Sequence, residues 1–142
     1  MELRVAADIE PGLRLCDGVR PAVTRALQQG AEDATTLTLR EVQVYPAQRP
    51  PARGRAPYRR TRTLARSWFK RVTVSGNEVV GEVISNGNIA PYNVYVQMEA
   101  MQARVHRGTW LNTDVGVIER LRPQILRLYE ARLQTALGVL PK

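Results

Sequence analysis

The stretch Trp68–Ser85, WFKRVTVSGNEVVGEVIS, decides the fold of this 142-residue chain. Val72 and Val74 alternate with polar neighbours, Ser75-Gly76-Asn77-Glu78 supplies turn chemistry, and Val79, Val80, Val83 and Ile84 populate a return strand. The pattern predicts a β-hairpin, with Trp68 and Phe69 leading into it from the core. Just upstream, TRTLARSW is compatible with one or two helical turns. Just downstream, Asn86-Gly87-Asn88 breaks the return strand, and Ala90-Pro91-Tyr92 opens a segment, Tyr92 to Met101, whose Tyr92, Tyr95, Val96 and Met98 allow a helical reading.

Further out, both flanks read as helices. Val19, Ala22, Val23, Ala26 and Leu27 recur at helical spacing after Asp17-Gly18, with Pro21 tolerated in a first turn, which predicts a helix from about Val19 to Thr36. Leu39, Val42 and Val44 then suggest a short extended segment ending at Pro46. The C-terminal stretch from about Val115 carries one apolar stripe at Ile118, Leu121, Ile125 and Leu128, and a second at Leu126, Tyr129, Leu133 and Leu137. Pro123 lies inside this pattern, so the helix either starts there or bends there. The wide apolar face has two readings. Either the helix covers a small sheet of its own chain, or one stripe does so while Leu126, Tyr129, Leu133 and Leu137 form a subunit interface. The expected fold is α+β in a single domain, residues 1–142, with a small antiparallel sheet packed by an N-terminal and a C-terminal helix.

Between the first helix and the hairpin lies the one compositionally biased segment, PAQRPPARGRAP, Pro46 to Pro57, with four Pro and three Arg. It cannot make a helix, cannot donate a full strand ladder and has little apolar surface to bury, so it is expected to be a long basic loop. The charge arithmetic centres on it. The chain carries 21 basic and 13 acidic residues, a net charge of +8, yet from Val42 to Asn77 there are nine basic residues and no acid. Removing those nine leaves 12 basic against 13 acidic residues, so the remainder is nearly neutral. Arg49, Arg53, Arg55, Arg59, Arg60 and Arg62 are the candidate contacts of this stretch, to DNA phosphates through their planar donor forks or to an acidic protein surface. Arg outnumbers Lys 19 to 2, a bias that a GC-rich genome also produces.

Aromatic residues make up 6% of the chain, so Leu, Val, Ile and Ala must fill most of the core, with Trp68, Phe69 and Trp110 as its large anchors. Small cores often need partners. No stretch approaches the length of a membrane span or a signal peptide, and the expectation is a soluble, unsecreted protein without membrane association. Cys16 and His106 are each single, which excludes an internal disulfide and a standard structural zinc site. His106 sits between Arg104 and Arg107 and reads as a surface or interface residue. No nucleophile with a base, no carboxylate pair and no glycine-rich phosphate loop can be assembled, so the chain is expected not to be an enzyme and to need no cofactor.

Two motifs carry a family resemblance. YRRTRTLARSW, Tyr58 to Trp68, resembles a segment of the neck and tail-completion proteins that join heads to tails in long-tailed double-stranded DNA phages, through Arg60, Thr61, Leu64 and Ser67. IAPYNVYVQMEAMQARVHRGTW, Ile89 to Trp110, is similar to that family's pattern of a Tyr followed by Tyr-Val and a basic Gly-containing stretch, through Tyr92, Tyr95 and Val96. The order of elements also agrees, from about Val19 to Leu137. Two departures stand out: the family commonly has Gly where Arg62 stands, and a Gly soon after the Tyr-Val pair where this chain has Gln97-Met98-Glu99. The resemblance implies a structural virion protein without catalytic residues. It implies a ring-forming subunit, typically hexameric, seated between the head connector and the tail tube or tail terminator around the DNA channel. It would be assembled in the host cytoplasm, with the basic loop lining the lumen or docking on a neighbouring ring. A free, sequence-independent nucleic-acid-binding module using the same loop is the alternative.

Overall fold

The computed structural model describes residues 2–8, 18–45, 62–102 and 116–138, the first of these by its backbone alone. Three strands form one sheet: β1 (Glu2–Asp8), β2 (Trp68–Ser75) and β3 (Glu78–Ser85). Their order is β1-β3-β2, and β3 is antiparallel to both neighbours. The hairpin pairs Trp68 with Ser85 and Ser75 with Glu78, leaving a two-residue loop whose first member, Gly76, takes a left-handed φ of 57°. β1 pairs Glu2 with Ile84 and Asp8 with Glu78, so the return strand of the hairpin becomes the central strand. That explains why β3 is buried on nearly every residue while β2 is mostly exposed.

The helices are α1 (Arg20–Val42), α2 (Thr63–Arg66), α3 (Asn93–Gln97) followed by a 3₁₀ turn at Glu99–Met101, and α4 (Gly116–Gly138). The α+β class, with an antiparallel sheet packed by an N-terminal and a C-terminal helix, is thus the observed one. Helix α1 packs on β2 and β3 with one side and on α4 with another. Small residues make both approaches possible. A Cβ on Gly81 of β3 would meet Thr35 Cγ2 at 2.8 Å, and one on Gly30 would meet the Tyr129 ring at 2.5 Å. Leu27, Ala31, Ala34 and Val42 of α1 share one core with Trp68, Val79, Val83 and the α4 residues Val117, Leu121, Ile125 and Tyr129. Arg120–Glu41 at 2.6 Å and Arg132–Asp33 at 2.8 Å tie the antiparallel helices at the surface, where each pair contributes at most about 1 kcal/mol.

Several expectations change. α1 does not stop near Thr36 and give way to an extended segment at Leu39, Val42 and Val44; it runs on to Val42. Thr35, Thr38 and Val42 continue the buried stripe at helical spacing, and the hydroxyls of Thr35, Thr36 and Thr38 donate to the carbonyls of Ala31, Glu32 and Ala34 inside the helix. Tertiary burial outweighs the low helix propensity of the β-branched residues. Phe69 is 44% exposed rather than core, because it follows Trp68 on a strand and therefore points to the opposite face. α4 does not start at Pro123 but passes through it from Gly116. Its buried stripe is Val117, Leu121, Ile125 and Tyr129, flanked by the half-buried Ile118 and Leu128. β1 had no counterpart among the expectations; its alternation of Leu3, Val5 and Ala7 is short and weak. The loop Pro46 to Pro57, Cys16, His106 and Trp110 lie outside the described residues.

Candidate interaction surface

The two quoted motifs meet at the end of the hairpin. Thr63–Arg66 makes a single turn whose last carbonyls are taken by Ser67, with its N–H bonded to Thr63 O at 3.1 Å and its hydroxyl donating to Leu64 O at 2.7 Å. Ser67 is fully buried and Leu64 nearly so. With its only proton given to Leu64, the Ser67 oxygen is left to accept from the Ser85 hydroxyl, 3.3 Å away. Ser85 Oγ in turn accepts a hydrogen bond from the buried Asn93 amide nitrogen, and Asn86 N–H donates to Ser67 O at 2.8 Å. A relay of Asn93, Ser85 and Ser67 therefore joins the second motif, the central strand and the first motif inside the protein.

Arg62, which precedes this turn, is exposed and holds a left-handed backbone, φ 59° and ψ 14°, the one positive φ outside glycine among the described residues. Such a conformation costs an L-residue about 1–2 kcal/mol, and glycine nothing. Arg49, Arg53, Arg55, Arg59, Arg60 and Thr61 lie outside the described residues, so Arg62 is the only candidate contact of the basic stretch whose place in the fold is given.

The second motif is turned inside out. From Asn86 to Gln102 the chain runs through short helical turns that mix i to i−3 hydrogen bonds (Ile89 to Asn86, Asn93 to Ala90, Tyr95 to Tyr92, Met101 to Met98) with i to i−4 bonds (Ala90 to Asn86, Met98 to Val94, Gln102 to Met98). Its inward side carries Ala90, Asn93, Gln97 and Gln102, each at most 3% exposed. Its outward side carries Ile89 at 45%, Tyr92 at 45%, Tyr95 at 61% and Met101 at 49%, with Val96 half-buried. The Asn93 and Gln97 side-chain oxygens are buried without a hydrogen-bond partner. Tyr45 follows the end of α1 and is half-buried. Burial pushes its hydroxyl up to about 12, against an opposing hydrogen-bond effect of Trp68 and with a smaller upward push from Tyr92.

Of the four interface candidates on α4, Tyr129 belongs to the chain's own core, where burial raises its hydroxyl above the usual tyrosine range. Leu133 is partly buried against that core, while Leu126 and Leu137 are 55% and 51% exposed. Two shallow grooves follow the α1–α4 seam, one lined by Arg40, Gln124, Arg127 and Arg132, the other by Arg25 and Arg132 with Glu32 and Asp33. Arg40 and Arg127 come from opposite ends of the sequence and only the helix pairing brings them together. Among the described residues no cluster of His, Cys, Asp or Glu is placed to hold a metal ion, and no helix is long and apolar enough to cross a membrane. No family model, no curated protein and no solved structure matches the chain.

Proposed function

We propose that the chain is a ring-forming head–tail connector subunit of a tailed double-stranded DNA phage, a neck or tail-completion protein acting by assembly and not by catalysis. The observation that carries the reading is the backbone of Arg62. The resemblance places glycine at this position in most of the family, and a left-handed φ is the conformation that glycine accommodates without strain. The turn is thus of the kind the family's pattern calls for, although the residue differs. The Ser67–Ser85–Asn93 relay adds a second support, since the two motifs, separate in sequence, are parts of one buried joint.

Assembly is the physical counterpart of this reading. A head-to-tail contact between identical subunits stops growing when the rotation closes, and a ring around a DNA channel is such a closure. The arginines between Val42 and Gly76 give the subunit a local positive field for DNA phosphate in the lumen or for an acidic neighbouring ring. The test is genetic and microscopic. Removing the coding sequence from the genome that carries it is expected to leave filled heads and finished tails unjoined in electron micrographs, with joining restored by the supplied protein. Joined, infectious particles without the protein refute the proposal. Supplying the Arg49→Ser, Arg53→Ser, Arg55→Ser triple variant is expected to restore fewer joined particles at physiological salt; full restoration removes the loop from the joining contact.

A further inference from the structure

We propose that the outer groove between α1 and α4 is a binding site for a phosphate group, gripped by Arg40 from one helix and Arg127 from the other. The site stands apart from the basic loop and does not depend on the connector reading.

Ion pairs occupy both ends of this stretch of the helix seam. Arg132 holds one oxygen of Asp33 through Nε and Nη2, each at 2.8 Å, and Arg120 holds Glu41 at 2.6 Å. The helices run antiparallel, so the residues between these pairs face each other, and there the groove is lined by Arg40, Gln124 and Arg127 beside the half-buried Leu37 and Leu128. Both carboxylates of the seam are already engaged. Arg40 has no hydrogen bond or ion pair among the described residues. Arg127 has one bond, from Nε to the carbonyl of Pro123 on its own helix at 3.2 Å, which steadies the guanidinium and leaves both terminal amino groups unengaged.

Two guanidiniums facing one groove with no acid between them repel each other. A chain that bound nothing here would be more stable with an acid at one of these positions, as it has at 33 and 41. Arg40 lies in the last turn of α1, where a cation offsets the negative end of the helix dipole. That accounts for Arg40 but not for Arg127, which is interior to α4. An anion between the two turns the repulsion into attraction. Each guanidinium is a planar fork of donors, and a tetrahedral phosphate has enough oxygens to accept from two forks at once. The Gln124 amide supplies a further, uncharged donor, while the Thr36 hydroxyl is already given to Glu32 O at 2.6 Å. Apolar surface from Leu37 and Leu128 excludes water from one side and strengthens the charge interaction. Arg40, Gln124 and Arg127 are all exposed, so the groove is open both to the backbone of a nucleic acid and to a free phosphate.

Nuclear magnetic resonance on the full chain tests this, with inorganic phosphate, pyrophosphate and a short DNA duplex as probes and chloride keeping the ionic strength constant. The Gln124 side-chain amide and the Arg127 Nε–H are expected to shift saturably. Arg40→Gln and Arg127→Gln should each weaken binding by about tenfold or more, as expected for loss of a charge-assisted hydrogen bond. Arg122→Gln removes the same charge from an exposed position of α4 and should weaken it by less than about twofold. Shifts with the duplex alone assign the site to nucleic acid; shifts with the free anions that the duplex does not reverse assign it to free phosphate. All three positions are exposed, and unchanged circular dichroism checks the fold. Thermal unfolding is the second measurement: exchanging chloride for phosphate should raise the midpoint of the wild type and of Arg122→Gln more than that of either groove variant. No shift at Gln124 and Arg127 with any probe, equal weakening by all three variants, an equal rise in all four midpoints, or tighter binding of a glutamate-rich peptide than of every phosphate probe overturns the proposal.

Discussion

Replacing Gly30 by Ala should destabilise the protein although it improves helix propensity, and the effect should change sign when Tyr129 is removed. A Cβ at position 30 would lie 2.5, 2.9 and 3.1 Å from three atoms of the Tyr129 ring. Carbon atoms rest at about 3.5–4.0 Å, so the ring must withdraw by roughly 1 Å. It is 9% exposed and wedged between the helices, where overpacking costs about 1–3 kcal/mol. Three simultaneous ring contacts put the cost near the upper end, about 2–3 kcal/mol. The helix interior gains about 1 kcal/mol from Gly to Ala, which leaves a net loss of about 1–2 kcal/mol. In a Tyr129→Ala background the obstruction is gone, and Gly30→Ala should stabilise by about 1 kcal/mol. Tyr129→Ala itself should cost about 3–5 kcal/mol. Urea unfolding of the four proteins, with constant m-values, gives the coupling directly, and about 2–3 kcal/mol is expected. Stabilisation by Gly30→Ala in the wild type, or the same sign in both backgrounds, would refute the close α1–α4 approach.

Three further outcomes follow from the joint and its surroundings. Arg62→Gly should stabilise by about 0.5–1 kcal/mol in urea, because the relief of left-handed strain exceeds the added entropy of the unfolded chain; destabilisation would contradict the φ of 59°. Ser85→Ala deprives the buried Asn93 amide of its acceptor and Ser67 of its donor, and a loss of about 1–3 kcal/mol is expected, with a change below 0.5 kcal/mol excluding the relay. Tyr45 keeps its proton up to about pH 12 in the folded protein but loses it near 10 when unfolded, so its contribution is complete below pH 10 and is lost as pH rises from 10 to 12. Tyr45→Phe should therefore flatten the alkaline decline of stability and remove a tyrosinate absorbance that appears only near pH 12; a titration unchanged by the substitution would contradict the burial.

The relation between sequence and structure differs from element to element. The hairpin was legible because its information is local: two alternating runs and a two-residue turn, all within 18 residues. The existence of both long helices was legible from spacing. The end of α1 was not, because Thr35, Thr38 and Val42 are poor helix formers whose helical state depends on the sheet and α4 beneath them. The candidate surface was legible only in part. Tyr92 and Tyr95 stood out as motif residues, but Asn93, Ser67 and Ser85 form a joint across 26 residues of sequence, and no local pattern marks an asparagine as the buried member of such a relay.

By itself the sequence determined the hairpin, the existence of the two long helices, the concentration of positive charge between Val42 and Gly76, and the charge-free run that follows the hairpin, since each is a property of neighbouring residues. Only the tertiary structure decided which faces are used. It placed β1 beside β3, drew Tyr129 from the expected interface into the core, turned Phe69 outward and left Ile89, Tyr92 and Tyr95 exposed. The physical reason is that periodicity specifies an apolar face but not its partner. The partner is chosen by segments tens of residues away, through close approaches such as Gly30 to Tyr129 and Gly81 to Thr35 that only small side chains permit.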